Sequence, residues 1–257
     1  MRVKIASWNI AGGRKVKSNK RFDYANEDVE YFVDNIKRLD PDIVCLQEAH
    51  FKDGESTAQK ISRLLSSYNV FDQELSPSHI ESGYRLGNSI LSKMDFQSKE
   101  NFIFPYPEFE MYFKDGRKAI RHDKGLQLVK VNNFFVANTQ FFPIGIFGHK
   151  YYKDGGKALI EKMSILIEEQ LKTPLLFVGD FSGDFGDYFN ELMSSVLHKF
   201  SLTDSIKNKM TRNEDSEGKG KFKTDYILYS QDFNLIKSQV IETETDHYLC
   251  FSEFVKK

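Results

Sequence analysis

Acids, amides and one histidine recur just past apolar runs in this chain: Trp8-Asn9, Gln47-Glu48, Gly179-Asp180-Phe181-Ser182, Thr224-Asp225-Tyr226 and Thr245-Asp246-His247. A hard cation such as magnesium takes oxygen ligands and keeps several waters, so one or two carboxylates with an amide oxygen suffice to hold it. Glu48, Asp246 and Asn9 are the candidate ligands. Hydrolysis of a phosphodiester also needs a water oriented in line and groups that neutralise the charge gathering on phosphorus. Asp180 and His247 can supply these. A histidine serves best when a carboxylate fixes its ring and stabilises the imidazolium. Asp225 is the candidate partner, and its strand is expected to pair with the one carrying Asp246 and His247.

These residues need elements that bring them to one place. Residues 3–8 read as a strand and residues 11–20 as a loop. Residues 26–39 carry helical spacing, with Val29, Phe32, Val33 and Ile36 on one face and Pro41 as the stop. Residues 42–46 read as a strand, apolar without a break from Ile43 to Leu46, as in a strand buried on both sides. The spacing predicts further helices over 56–65, 155–171 and 188–197, and strands over 88–91, 126–131, 134–138, 175–178, 226–229 and 248–254. Asn132-Asn133 marks a hairpin between two of those strands. Helices interspersed with hairpin and crossover strands predict an α/β fold, two mixed sheets packed face to face with helices outside.

A chain of 257 residues with 40% hydrophobic and 28% charged content can build one large core, so residues 1–257 are expected to form a single domain. A formal net charge of -1 excludes the diffuse basicity of a histone-like nucleic-acid binder, leaving any anion site local. Cys45 and Cys250 lie in apolar, strand-like runs, which suits buried reduced thiols rather than a disulfide framework or a zinc site. The N-terminus enters a strand pattern directly, without a signal-like apolar stretch. A cytoplasmic location and no stable membrane insertion are therefore expected.

The ordered series Trp8-Asn9, Gln47-Glu48, Gly179-Asp180-Phe181, Asp225-Tyr226 and Asp246-His247 resembles the endonuclease/exonuclease/phosphatase superfamily, which includes deoxyribonuclease I, the exonuclease III-type repair enzymes and the inositol-polyphosphate 5-phosphatases. Each motif is weak alone, whereas five in order across nearly the whole chain are specific. The resemblance implies a four-layered sandwich of two mixed, mainly antiparallel sheets flanked by helices. It implies phosphoester hydrolysis with Mg2+, or with Mn2+ in its place. Asn9, Glu48 and Asp246 would serve the metal, Asp180 the attacking water, and His247 with Asp225 the scissile phosphate. Two positions depart from the pattern. Thr139-Gln140 stands where many relatives carry Thr-His, and Ser182 stands where they carry Asn. Gln140 can donate to a phosphate oxygen and cannot act as a general acid. Ser182 offers one short hydroxyl where an amide offers two donors, a difference of roughly 10² to 10³ in rate. Asp184 or a bound water would make up for Ser182, and His149, in the aromatic loop after Gln140, would replace the missing histidine.

Basic residues bracket the motifs: Arg14, Lys15, Lys17, Lys20 and Arg21 follow Asn9, and Lys219, Lys221 and Lys223 precede Asp225. Such runs are most often solvated loop charge, but beside a phosphoester site they could hold a polyanion. Asn138, Arg14, Lys15, Lys221 and Lys223 are the expected substrate-binding residues. Two loops, 102–113 and 141–152, are rich in aromatics that either bury their rings at the sheet edges, stack on bases or enter a lipid surface. The expected activity is a phosphodiesterase on DNA, RNA or a nucleotide-like substrate. The alternatives are a phosphatase or lipid phosphodiesterase of inositol-phosphate or sphingomyelin type, and a catalytically weak binder of phosphorylated ligands. No surface in the sequence marks a protein partner.

Overall fold

In the first strand, β1 (Arg2–Asn9), side chains on both faces are buried. Val3 and Ile5 enter the core between the two sheets, while Ala6 and Trp8 turn the other way, toward helices. A strand covered on both faces loses the polar alternation of a half-exposed one, which is why this segment reads as a near-continuous apolar run. The computed structural model describes residues 1–18, 23–182, 188–207, 209–212 and 222–257. After β1 come a small hairpin, β2 (Arg14–Val16) and β3 (Tyr24–Glu27), helix α1 (Val29–Leu39), β4 (Ile43–Lys52), β5 (Glu55–Ser56), α2 (Thr57–Leu65), β6 (Asn69–Pro77), β7 (Arg85–Ser92), β8 (Phe96–Ile103), β9 (Gly125–Val131) and β10 (Phe134–Gln140). Helix α3 (Asp154–Gln170), β11 (Leu175–Asp180), α4 (Phe189–Leu192), α5 (Ser194–Lys199), β12 (Thr203–Asp204), β13 (Asp225–Tyr229), β14 (Phe233–Ile241) and β15 (Leu249–Lys256) complete the described elements.

Two large sheets result. The first runs β14-β15-β1-β4-β7-β6, with β5 appended to β4, and the second runs β12-β13-β11-β10-β9-β8. Each contains one parallel pair, β1 with β4 and β10 with β11, and is otherwise antiparallel. Three apolar cores separate four layers. One lies between the sheets, a second sits between the first sheet and α1 and α2, and a third lies between the second sheet and α3 to α5. The expected sandwich of two mixed, mainly antiparallel sheets flanked by helices is therefore the observed one.

Several local expectations need correction. Helix α1 starts at Val29, because the Asp28 carboxylate caps Tyr31 N and the preceding residues pair as β3. The helix expected over 188–197 is two short ones, α4 and α5, with Met193 between. Strand β13 does not pair with the strand that follows His247. β13 belongs to the second sheet and β15 to the first, so Asp225 and His247 meet across the sandwich. Strands β6, β8 and β14 carried no clear signal. All three are sheet edges, and the exposed face of an edge strand is free to be polar. Cys45 and Cys250 are free and buried, and no described helix is long and apolar enough to cross a membrane.

Candidate active site

At one end of the sandwich the inward-facing positions turn from apolar to polar. On β10 the inward positions run Phe134, Val136, Asn138, Gln140, and on β11 they run Leu176, Val178, Asp180. Register places Gln140 beside Asp180, and Asp180 beside Asp225 at the start of β13. Side chains directly opposite on neighbouring strands share a face, so the three form a row across the second sheet. The close approach of β10 and β11 there depends on Gly179, whose φ is +150° and where a Cβ would lie 2.0 Å from the Thr139 carbonyl oxygen. Asn9, the last inward position of β1, closes the row from the other sheet by donating Nδ2 to Asp180 Oδ2 at 3.1 Å. Its Oδ1 accepts the Ala11 N–H at 3.2 Å.

Glu48 reaches the site through a backbone irregularity. Ile43 and Cys45 face the other sheet while Val44 and Leu46 face the helices, so regular alternation would send Glu48 toward the helices. The ladder between β4 and β7 slips between Leu46 and Ala49, and Glu48 adopts φ +53°. A left-handed conformation at a non-glycine residue is uncommon, and here a bulge re-aims a side chain at a strand end. Gln140 Nε2 donates to Glu48 Oε1 at 2.6 Å and approaches Asp180 Oδ2 at 3.4 Å. Its Oε1 accepts from Lys124 Nζ at 2.6 Å. Burial opposes ionisation of Glu48, but His79, Lys124, the Gln140 donor and His247 outweigh it and hold its carboxyl at about 2.

The segment carrying Asp246 and His247 is anchored by Trp8. Its buried indole packs on Phe32 at 4.6 Å, and Nε1 donates to Thr245 Oγ1 at 2.9 Å and to the His247 carbonyl at 3.1 Å. His247 Nδ1 lies 3.0 Å from Asp225 Oδ2, which also accepts from Thr224 Oγ1 at 2.6 Å. On the far side of the ring, Nε2 lies 3.9 Å from Asp180 Oδ2, beyond hydrogen-bond reach. Burial alone would lower the histidine, but the charges of Asp225 and Asp180 and the Asp225 hydrogen bond raise it to about 9. Burial raises the Asp180 carboxyl, with His247 opposing. A buried acid and a charged imidazole thus face each other across a short gap.

Asp180, Asp225 and His247 each offer a ligand atom within 4.8 Å of the others, the one grouping of that kind among the described residues. A protonated imidazole has no lone pair to give, so this trio suits proton and charge management better than metal binding. The donor set for a hard cation lies beside it. Asp246 Oδ1 is buried without a hydrogen-bond partner, and Glu48 stays ionised. Tyr24 and Arg212 are each influenced by both carboxylates. Tyr24 OH donates to Asp246 Oδ2 at 3.2 Å, and Arg212 Nη2 lies 3.6 Å from the same oxygen. A buried carboxylate oxygen without a partner, acting on the same tyrosine and arginine as Glu48, fits a divalent cation. The Asn9 oxygen is instead turned to the Ala11 amide.

Asn9, Glu48, Gln140, Asp180, Asp225 and His247 are linked by direct contacts, and Asp246 stands next to His247. Other expected residues are employed differently. Asn138 is fully buried between the sheets, donating to Leu46 O, Ser89 O and Gln127 Oε1 and accepting from Gln47 Nε2, so its expected substrate contact is corrected to a clamp between sheets. Arg14 pairs with Glu81, Lys15 with Asp28 and Glu244, and Lys223 with Asp204. Each of these three cations is therefore engaged by an acid. Lys20, Arg21, Lys219, Lys221, Gly183 and Asp184 lie outside the described residues. Ser182 is buried at φ +68°, its N–H capping Asp180 Oδ1 at 2.9 Å. His149 packs on Phe109 at 4.1 Å and bonds the Glu110 carbonyl, so it does not take the expected place of the missing histidine. Phe104, Phe141, Phe142 and Tyr151 bury their rings in the core under α3, the first of the three alternatives for the aromatic loops.

Sequence reasoning missed Lys124, Arg212, Tyr24 and His79. None lies in a motif. Lys124 enters beside β10 through the strand pairing of β9, and Arg212 enters through bridges to Phe222 and His247. The one signal available was Arg-His-Asp-Lys-Gly, a polar run directly before an apolar strand.

The profile of the Endonuclease/Exonuclease/phosphatase family matches residues 6–247. The fold is similar to that of an endonuclease/exonuclease/phosphatase from Beutenbergia cavernae DSM 12333, at 14% identity and TM-score 0.73, covering 99% of this chain and 72% of that one. It is also similar to an endonuclease/exonuclease/phosphatase from Bacteroides vulgatus, at 14% identity and TM-score 0.69 over 100% of both chains. An AP endonuclease from Archaeoglobus fulgidus aligns at 16% identity and TM-score 0.64, covering 99% of each chain. No curated protein matches the sequence. At these identities the structures speak for the fold, whereas the family match runs from within β1 to His247 and takes in the strand ends where the acids converge. By that match the chain belongs to the endonuclease/exonuclease/phosphatase family.

Proposed function

We propose that the protein is a magnesium-dependent phosphodiesterase acting on nucleic acid or a nucleotide-like substrate. Members of its family are typically phosphoester hydrolases that use a divalent metal. The observation that carries the reading is the Asp180–His247–Asp225 relay, with Nε2 of His247 3.9 Å from Asp180 and Nδ1 3.0 Å from Asp225, beside the ionised Glu48 and the unpartnered Asp246 Oδ1. Asp180 is held by Asn9 and Gln140, and burial makes it a stronger base than an ordinary carboxylate, as a group that orients and deprotonates water should be. His247, kept protonated by Asp225, presents Nε2–H to the charge that grows on the phosphoryl oxygens. Glu48 and Asp246 would hold the divalent cation, with Mn2+ able to replace Mg2+, and its chemistry when bound is to polarise and neutralise a phosphoryl oxygen.

The test is hydrolysis of bis-p-nitrophenyl phosphate by wild type and Asp246→Ala, with and without Mg2+, followed by a panel of DNA, RNA, inositol phosphates and sphingomyelin. Turnover needing both the metal and Asp246 is expected, with DNA or RNA preferred in the panel. No turnover on any member, with phosphate ligands still bound, would replace the hydrolase with a phosphate-binding relative. Preference for sphingomyelin or inositol phosphates would move the substrate class and keep the chemistry.

A further inference from the structure

The Gln140 side chain is a neutral group that touches both Glu48 and Asp180, and its orientation is set from behind by a lysine. An amide has a donor edge and an acceptor edge. Facing two carboxylates requires the donor edge, and facing an ammonium requires the acceptor edge. Gln140 meets both demands at once: Nε2 lies 2.6 Å from Glu48 Oε1 and 3.4 Å from Asp180 Oδ2, and Oε1 lies 2.6 Å from Lys124 Nζ. The flipped amide would set its oxygen against two carboxylates and its N–H2 against a group with no acceptor. One orientation therefore survives.

Lys124 is itself held firmly. It is 7% exposed, and the Gln140 it meets is 5% exposed. Its carbonyl accepts Phe104 N–H at 2.9 Å, and the preceding Asp123 carbonyl accepts from Ser76 Oγ at 3.2 Å. The next residue, Gly125, opens β9 opposite Gln140 in the register, and a Cβ there would lie 2.5 Å from the Phe102 carbonyl oxygen. A long cationic side chain buried to this degree needs a partner, and Nζ donates to Gln140 Oε1.

We propose that Lys124 is a positioning residue for the reaction. By fixing the amide of Gln140 with its donors toward the site, it holds Glu48 and Asp180 in one mutual arrangement. The inference rests on the hydrolase reading above for its catalytic consequence, and not for the geometry. Position 140 lacks the titratable histidine of many relatives, and the Lys124–Gln140 pair supplies a fixed donor in its stead.

Three variants and their combination test it: Lys124→Met, Gln140→Ala, the double variant, and Gln140→Glu. Turnover of bis-p-nitrophenyl phosphate by Lys124→Met is expected to fall about 10- to 100-fold in kcat with KM within about twofold. Because Lys124 acts through Gln140, the double variant should be no slower than Gln140→Ala. Additive losses would mean that Lys124 acts on the substrate directly and would overturn the proposal. Gln140→Glu gives Lys124 an ion-pair partner in place of the amide oxygen, which guards the fold if Lys124→Met fails to fold, yet removes the donors. It should lose activity as Gln140→Ala does, and wild-type activity would overturn the proposal. A readout independent of turnover is the side-chain N–H2 pair of Gln140 in an 15N-correlated NMR spectrum, identified by its loss in Gln140→Ala. It should be protected from solvent exchange in the wild type and lose protection in Lys124→Met, or in Lys124→Gln if the methionine variant is unfolded. Unchanged protection would overturn the proposal. If wild type turns over no substrate, the hydrolase reading falls, while the amide experiment still decides whether Lys124 fixes Gln140.

Discussion

At the scale of single residues, the site works by matching each ionisable group to a partner that sets its charge. Asp225 is the clearest case, since it and Asp180 outweigh the burial that would otherwise neutralise His247. Asp225→Asn keeps the shape and removes the charge. The His247 titration should then move down from about 9, and kcat should fall by about 10² or more. Histidine C–H NMR titration and steady-state kinetics check the pair, and an unmoved titration would detach Asp225 from His247. Ser182 is the second case. Its φ of +68° lies where asparagine is tolerated better than serine, and the amide would add donors beside Asp180. Ser182→Asn should raise kcat with no loss of thermal stability, and a slower variant would show that the serine is no handicap. The acids and the histidine were legible in the sequence because hard-cation and proton chemistry admit few residue types. Lys124 and Arg212 were not, because a lone cation before a strand or in a loop is an ordinary solvated residue until the fold buries it.

At the scale of elements, the site depends on how strand ends are held rather than on the strands themselves. Trp8 ties β1 to the segment before β15 through two donations from one indole nitrogen, to Thr245 Oγ1 and the His247 carbonyl. Trp8→Phe preserves packing on Phe32 and removes both hydrogen bonds. A loss of about 1–3 kcal/mol is expected from the two lost hydrogen bonds, although the His247 carbonyl keeps the Thr243 and Thr245 hydroxyls as donors. The same loosening should lower kcat, because Asp246 and His247 ride on that segment. Denaturant midpoints and kinetics check this, and a variant with unchanged kcat would separate the anchor from catalysis. The strands carrying site residues were legible because they are buried on both faces and read as apolar runs. The edge strands β6, β8 and β14 were not, because their exposed faces carry charge. The bulge at Glu48 left no mark in Leu46-Gln47-Glu48-Ala49, since it is imposed by pairing with β7.

At the scale of the whole molecule, the same burial that tunes the site sets how stability responds to pH. His50 and His122 are lowered to about 4, chiefly by burial. Each remains neutral in the fold and takes up a proton on unfolding, so its contribution is full above about 6.5 and is lost as pH falls toward 4. His247 runs the other way. Raised to about 9, it contributes fully below 6.5 and loses that contribution as pH rises to 9. Stability should therefore peak near pH 6.5, with Asp180, raised by burial, working against the histidines at the acid end. Denaturant midpoints across pH check the curve. His122→Asn should make the limb between pH 6.5 and 4 shallower, and an unchanged limb would remove that histidine from the account.

What the sequence alone determined was the family, its fold and the strand ends that carry its motifs. Alternation and burial are local properties, and five motifs in order are enough to name a family and its sandwich. What only the tertiary structure decided was which groups meet. Asp225 and His247 come from opposite sheets and touch across the core, although no ladder joins their strands. Asn138 spans the sheets as a clamp, and Arg14, Lys15 and Lys223 find acids. Lys124 arrives behind Gln140 because β9 pairs with β10. Strength and direction of an electrostatic interaction depend on separation, burial and competing partners, and these are fixed by contacts between residues far apart in the chain.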